Sequence, residues 1–343
     1  MKPELTRLTG LILFAGLLAG CSWEVELHGA EGKINLGLKD MEQTRDAINS
    51  APEIVSLGIF GYSTGGDNFD ENNNTHIPNL FFDRHAERTP GNDWVYTPLA
   101  YWPIDAAVKN TFFACSPHSS LFPPEANVAL SSATAYGFPT ITYTVPAAVS
   151  NHVDLLYANP MPNINRKTNS GKVLFEMNHA LSWIKIYVAP DVKTSSVIEE
   201  YTITSLSLSA SALTTRACLC LGTGAWSTVS TGPAQYLFNV TGTAIESGNV
   251  EDPTATGECL MLIPQLVSGT MVNVTFIYSY NGVTDPDEYS FAVPFPNIEL
   301  IAGHIGIYVL RLNTAGVEIL FHTNNTIDEW DEDSTYKEIL DVY

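Results

Sequence analysis

Runs of alternating or β-branched residues, broken at short intervals by turn-forming clusters, most constrain what this chain can fold into. Such runs occupy Ile54 to Tyr62, Ile141 to Val145, Ile184 to Val188, Tyr201 to Leu208, Val272 to Tyr280, Ile305 to Leu312 and Val317 to Phe321. Between them gather Gly, Pro, Asn and Asp, the residues whose backbone preferences suit tight turns. A strand turns successive side chains to opposite faces, so each run can present an apolar face to a core. No long stretch beyond residue 21 keeps a helical period. The expectation is an all-β chain built as sandwiches rather than an α/β sheet. The polar segment from Asp191 to Ser196 follows Pro190 and is the expected division. It separates an N-terminal sandwich, residues 46–191, from a C-terminal one, residues 192–343.

Residues 1–20 carry an export signal: Lys2 and Arg7 open it, a short apolar run follows, and Leu18-Ala19-Gly20-Cys21 closes it. A basic start, an apolar centre and small residues before a cut define a secretory signal. The cysteine makes it a lipobox, with the cut between Gly20 and Cys21 and a lipid on the Cys21 thiol. A plain signal with an incidental cysteine is the simpler alternative. A transmembrane helix fits less well, because the run is short and Ser22-Trp23-Glu24 follows it.

Residues 21–45 form a segment of their own. In Ile34-Asn35-Leu36-Gly37-Leu38, the residues Ile34, Leu36 and Leu38 share one face of a strand. A polar stretch, Lys39 to Ser50, follows and contains Gln43-Thr44-Arg45-Asp46. A lone strand ahead of an arginine in a polar linker is an arrangement open to proteolysis. The simpler reading is an ordinary first strand followed by a loop.

Charge and motifs exclude several function classes. The formal net charge is −21, from 37 acidic and 16 basic side chains. That balance opposes binding to nucleic acid or to anionic lipid heads and keeps an exported protein soluble by self-repulsion. Cys115, Cys218, Cys220 and Cys259 lack zinc-type spacing and are read as thiols. Gly61-Tyr62-Ser63-Thr64-Gly65 matches a serine-nucleophile pattern, but turn-forming GDNFDENNN follows where that motif needs a helix. Asp70, Asn72 and Asn74 start an EF-hand-like pattern that Thr75 and Phe81 then break. The acidic run Asp328 to Asp333 reads as a solvated turn. His76, His85, His118 and His152 have no ligand spacing, and His179, His304 and His322 fall in apolar strands. No catalytic residue, cofactor or metal is therefore expected.

Six segments, in order, resemble the fimbrillin family, the type V pilins of Bacteroidales. They are Trp94-Val95-Tyr96 with Tyr101-Trp102-Pro103 and Phe112-Phe113-Ala114; Asp154-Leu155-Leu156-Tyr157-Ala158; Phe175 to Leu181, resembling F-x-H-A-L but with Glu176-Met177-Asn178 where the pattern has a single residue; Leu262-Ile263-Pro264-Gln265; Ala302-Gly303-His304 with Tyr308 and Leu310; and Ile327 to Trp330. The resemblance implies two transthyretin-like β-sandwich domains in tandem. It also implies a surface pilus subunit, delivered as an outer-membrane lipoprotein and polymerised by strand exchange with other pilin subunits. A trypsin-like protease would cut between Arg45 and Asp46, where Asp46 departs from the small residue common in the family. The strand at Ile34, Leu36 and Leu38 would then leave. The donor would come from residues 331–343, where Leu340 and Val342 alternate as in a strand, although Tyr336, Ile339, Leu340 and Tyr343 also fit a helical stripe. The alternative is a surface lipoprotein of the same architecture, uncut at Arg45, that anchors a pilus or binds glycans on Trp94, Tyr101 and Trp102.

Overall fold

In a computed structural model of the chain, residues 32–39, 54–69, 75–191, 198, 200–240, 242–246, 254–280, 282–313, 315–321 and 328–329 are described. These residues are strands, turns and short 3-10 segments, as the alternating sequence requires. Each of the seven apolar runs contributes to a strand.

A seven-stranded sheet gathers the N-terminal half. It consists of β2 (Ser56–Gly65), β3 (Phe81–Arg88), β4 (Trp94–Tyr96), β5 (Lys109–Ser116), β8 (Leu156–Ala158), β9 (Met161–Ile164) and β11 (Met177–His179). Its order is β11-β8-β5-β2-β3-β4, with β9 also on β5. The central strands β2 and β5 are apolar on both faces, which marks strands covered on both sides. Leu57, Ile59, Phe112 and Ala114 enter one core with Ile34 and Leu36. Phe60, Tyr62, Phe113 and Cys115 point the other way, into a core that also holds Trp183, Leu260 and Leu310.

Beside that sheet stands a two-stranded one, β1 (Asn35–Leu38) parallel to β10 (Lys172–Phe175). The C-terminal half provides a five-stranded sheet of β12 (Ser182–Pro190), β16 (Thr254–Leu262), β22 (His304–Asn313), β23 (Gly316–Phe321) and β24 (Asp328–Glu329). An eight-stranded sheet is built around the long β13 (Glu200–Cys220). Its other members are β6 (Ala129–Leu130), β7 (Thr140–Thr144), β14 (Trp226–Phe238), β15 (Thr243–Glu246), β18 (Thr270–Tyr280), β19 (Val283–Thr284) and β20 (Tyr289–Pro294). A last pair joins β17 (Leu266–Val267) to β21 (Ile298–Glu299).

Hydrogen bonding crosses residue 191 freely. β12 precedes it yet pairs with β16 on one side and β22 on the other, and β7 pairs with the end of β13. The described residues all belong to one compact unit, Gly32–Tyr343. The physical reason is that β13 is long enough to serve β18 at one end and β7 at the other. The core behind β2 and β5 is thereby shared with the C-terminal strands.

Candidate functional site

The first strand and its seat form the most unusual construction in the molecule. Its backbone is bonded along almost its whole length to segments far away in the chain. The N–H of Trp102 donates to the Gly32 carbonyl at 2.7 Å, and that of Ile34 to the Ala100 carbonyl at 3.0 Å. Lys33 opposes Tyr101 in an antiparallel bridge. From Asn35 onward the partner changes: Asn35, Leu36, Gly37 and Leu38 align with Lys172, Val173, Leu174 and Phe175. Lys39 N–H closes the ladder on the Phe175 carbonyl at 2.8 Å. β1 is the only strand with which β10 pairs among the described residues.

Side chains follow the period-2 rule. Ile34 is fully buried, Leu36 is 5% exposed, and Leu38 packs half-buried against the same core. The Tyr96 hydroxyl donates to the Ile34 carbonyl at 2.7 Å. Burial pushes that phenol's pKa up, so it stays protonated as a donor. At the far end Lys39 Nζ lies 2.7 Å from Glu176 Oε2. The hydrogen bond from Lys39 holds the Glu176 carboxyl below its ordinary range; both side chains are about half exposed, so this pair adds little to stability. An open depression of about 530 Å3 runs along the flank of β1, lined in part by Lys33, Leu36, Trp94 and Lys172.

The walls of the seat are built by sequence-local devices. Asn169, Ser170 and Gly171 all have positive φ, at 47°, 55° and 78°. This left-handed turn is costly for the two residues that carry a Cβ, and it aims the chain into β10. Trp102 Nε1 donates to the Gly171 carbonyl at 2.9 Å and ties the turn to the loop that clamps Gly32–Ile34. Trp94 and Trp102 are 7% and 5% exposed. They are core residues, which removes two of the three rings from the alternative glycan platform and leaves Tyr101 alone at the surface. What this arrangement can do chemically is bind an extended strand by backbone bonding and apolar pockets.

The family model for fimbrillin-like proteins matches residues 46–330. The chain belongs to the fimbrillin-like family. It is 32% identical over 190 residues to the fimbrium subunit Fim1C of Phocaeicola vulgatus, covering 51% of this chain and 49% of that protein. The chain thus spans about half the length of that curated relative. Among solved structures it is similar to a fimbrial protein from Bacteroides vulgatus, with TM-score 0.65, 21% identity, and coverage of 87% of this chain and 99% of that one. A structure from Bacteroides uniformis follows with TM-score 0.52, 14% identity, and coverage of 87% and 98%. These likenesses establish the fold.

Of the fimbrillin-like chain's expected site residues, Ile34, Leu36 and Leu38 come together in the seat of β1. Gly20, Cys21, Arg45, Asp46, Leu340 and Val342 lie outside the described residues, as do Asp70, Asn72, Asn74 and His322. Ser63 sits within β2, opposite Asn110, and its strand runs on to Gly65, so it has no strand-to-helix elbow. Among the described residues no three His, Cys, Asp or Glu side chains gather as metal ligands would. His85 and His118 stack at 4.1 Å.

Two features escaped the sequence reading. One is the Ala100–Trp102 clamp with its Tyr96 donor. The other is a buried pair in which His179 Nδ1 lies 2.7 Å from Asp154 Oδ2, each side chain 3% exposed. It joins the D-L-L-Y-A segment to the H-A-L segment. A polar residue standing in each apolar run was the signal available.

Proposed function

We propose that this chain is a structural subunit of a surface fimbria, serving adhesion and assembled by strand exchange. The observation that carries the reading is the seating of β1. It is a short strand with two deeply buried side chains, held mainly by backbone bonds to β10 and the Ala100–Trp102 loop. A strand bound in this way can be replaced by any other strand with similar alternation. Its departure would leave the β10 edge and two apolar pockets open, and open edges invite strand addition. Burying Ile34 and Leu36 contributes about 3–6 kcal/mol before ordering costs, a modest barrier to exchange.

The maturation route fits that seat. The precursor is exported as a lipoprotein, cut between Gly20 and Cys21 and held at the outer membrane by lipid on Cys21. A trypsin-like protease cuts between Arg45 and Asp46, so lipid and β1 leave together. The family match begins at residue 46, which supports reading residues 21–45 as a separate segment. A strand containing Leu340 and Val342 from a neighbouring subunit then fills the groove. The contact is head-to-tail and grows as a filament. A subunit left uncut at Arg45 would instead stay as the membrane anchor. The two transthyretin-like sandwiches that the resemblance implies would share the core behind β2 and β5.

Trypsin treatment of the full-length precursor tests the reading. The expected product has Asp46 at its N-terminus and forms an SDS-resistant ladder. Clean cutting at Arg45 that yields only monomer would refute it.

A further inference from the structure

We propose that neighbouring copies of this chain meet through two exposed apolar patches. Leu99, Tyr101 and Ile104 beside the β1 seat of one copy would dock on Leu266 and Ile301 of the next. The inference rests on the strand-exchange reading and names the surface that accompanies it.

The first patch lies on the segment that clamps β1. Leu99, Tyr101 and Ile104 are 47%, 51% and 87% exposed. They flank Ala100 and Trp102, whose backbone groups bond Ile34 and Gly32. Single exposed apolar residues are ordinary. Three within six residues, at the mouth of a strand-binding groove, mark an interaction surface.

The second patch lies where the chain leaves its last described strand. β17 pairs with β21, and Leu300 N–H donates to the Gln265 carbonyl at 2.8 Å, which brings Leu266 and Ile301 to one end of the fold. Leu266 is 67% exposed and Ile301 47%. His304 N–H bonds back to the Ile301 carbonyl, and β24 pairs with His304 and Ile305. Glu329, the last described residue, therefore lies beside the turn that carries Ile301.

Charge and reach bring these patches to each other. The chain carries a net charge of −21, and residues 46–343 alone carry −20, from 31 acidic and 11 basic side chains, so copies repel and contact is favoured where charge is sparse. Trp94 to Ile104 contains no charged side chain, and neither does Leu260 to Tyr280; the exposed Glu299, opposite Leu266, is the charge that borders the second patch. Residues 330–343 span at most about 45 Å when extended. If the end of that segment fills the groove of a second copy, its root beside Ile301 is held near that groove's mouth at Leu99–Ile104. The contact joins different patches and is heterologous, as a filament requires.

Two measurements test this. A photo-reactive benzophenone amino acid in place of Ile104, in assembled surface material, is expected to crosslink to the region of Leu266 or Ile301 in a second copy. Crosslinks confined to other regions, or none, would overturn the proposal. The double variant Leu266→Asp with Ile301→Asp changes only exposed positions. After trimming, it is expected to polymerise about tenfold more slowly than the parent, while its groove still takes up a synthetic peptide of residues 331–343. Polymerisation at the parent rate would overturn the surface pairing. Peptide uptake by the trimmed parent reports separately on strand exchange: failure of uptake with the crosslink retained would refute the donor segment and leave the paired surface standing.

Discussion

If the chain is cut after Arg45 as proposed, replacing Leu36 by Ala changes the precursor and leaves the trimmed subunit untouched, because residue 36 lies ahead of Arg45. That makes it a clean test of β1 as a gate. Leu36 is 5% exposed, and it shares a core with Ile34, Trp94, Tyr96 and Val173. Truncating a buried leucine costs 2–5 kcal/mol. The open flank of β1 lets the site relax, so about 3 kcal/mol is expected. Before cleavage, the precursor should lose about that much stability in urea unfolding. After cleavage, β1 is held only by its seat, and the same energy raises its release about 150-fold, since 1.4 kcal/mol is a factor of ten. Polymer formation, followed by light scattering after trypsin, should accelerate by one to two orders of magnitude if β1 release limits it. The final polymer should match the parent, being made of identical subunits. Unchanged precursor stability together with an unchanged polymerisation rate would refute the reasoning, because β1 would then be neither a structural support nor a gate.

Three further outcomes are expected. His152 is part-buried, with Nε2 2.8 Å from the Pro146 carbonyl and Nδ1 accepting from Met261 N–H. Burial lowers its pKa from 6.5 to about 4. The unfolded chain takes up this proton near pH 6.5 and the folded one only near 4, so its contribution is complete above 6.5 and lost as pH falls to 4. That loss is about 2–3 kcal/mol, and His152→Gln should flatten the stability profile in that window. Asp154→Ala leaves the buried His179 ring without its carboxylate and should cost about 3–5 kcal/mol, against a smaller loss for Asp154→Asn, measured by denaturant midpoints. Gly224 has φ of 69°, and a Cβ there would run into the Tyr157 hydroxyl. Gly224→Ala should therefore destabilise by about 2–4 kcal/mol in thermal unfolding.

Strand identity was legible in the sequence because alternation is a local property. The runs at Ile184 to Val188 and Ile305 to Leu312 fall inside β12 and β22, and the inward face of Ile34 and Leu36 follows from period 2 alone. The same rule explains why β2 and β5, with consecutive apolar residues at Ile59-Phe60 and Phe112 to Cys115, are covered on both faces. Partnership is not local. Nothing in Ser182–Pro190 says that it pairs on both edges with strands from beyond residue 191. Trp94 and Trp102, spaced among Pro and small residues near strands, read as core in the sequence and are buried in the fold.

At the seat of β1, residue order alone reveals the inward face, the polar linker that follows and the arginine within it. The parallel pairing with β10, the clamp of Ala100–Trp102 on its start and the Tyr96 hydrogen bond arise from folding. Side-chain period fixes which residues point inward. The choice of neighbouring edge depends on which apolar surfaces, far apart in the chain, are buried together.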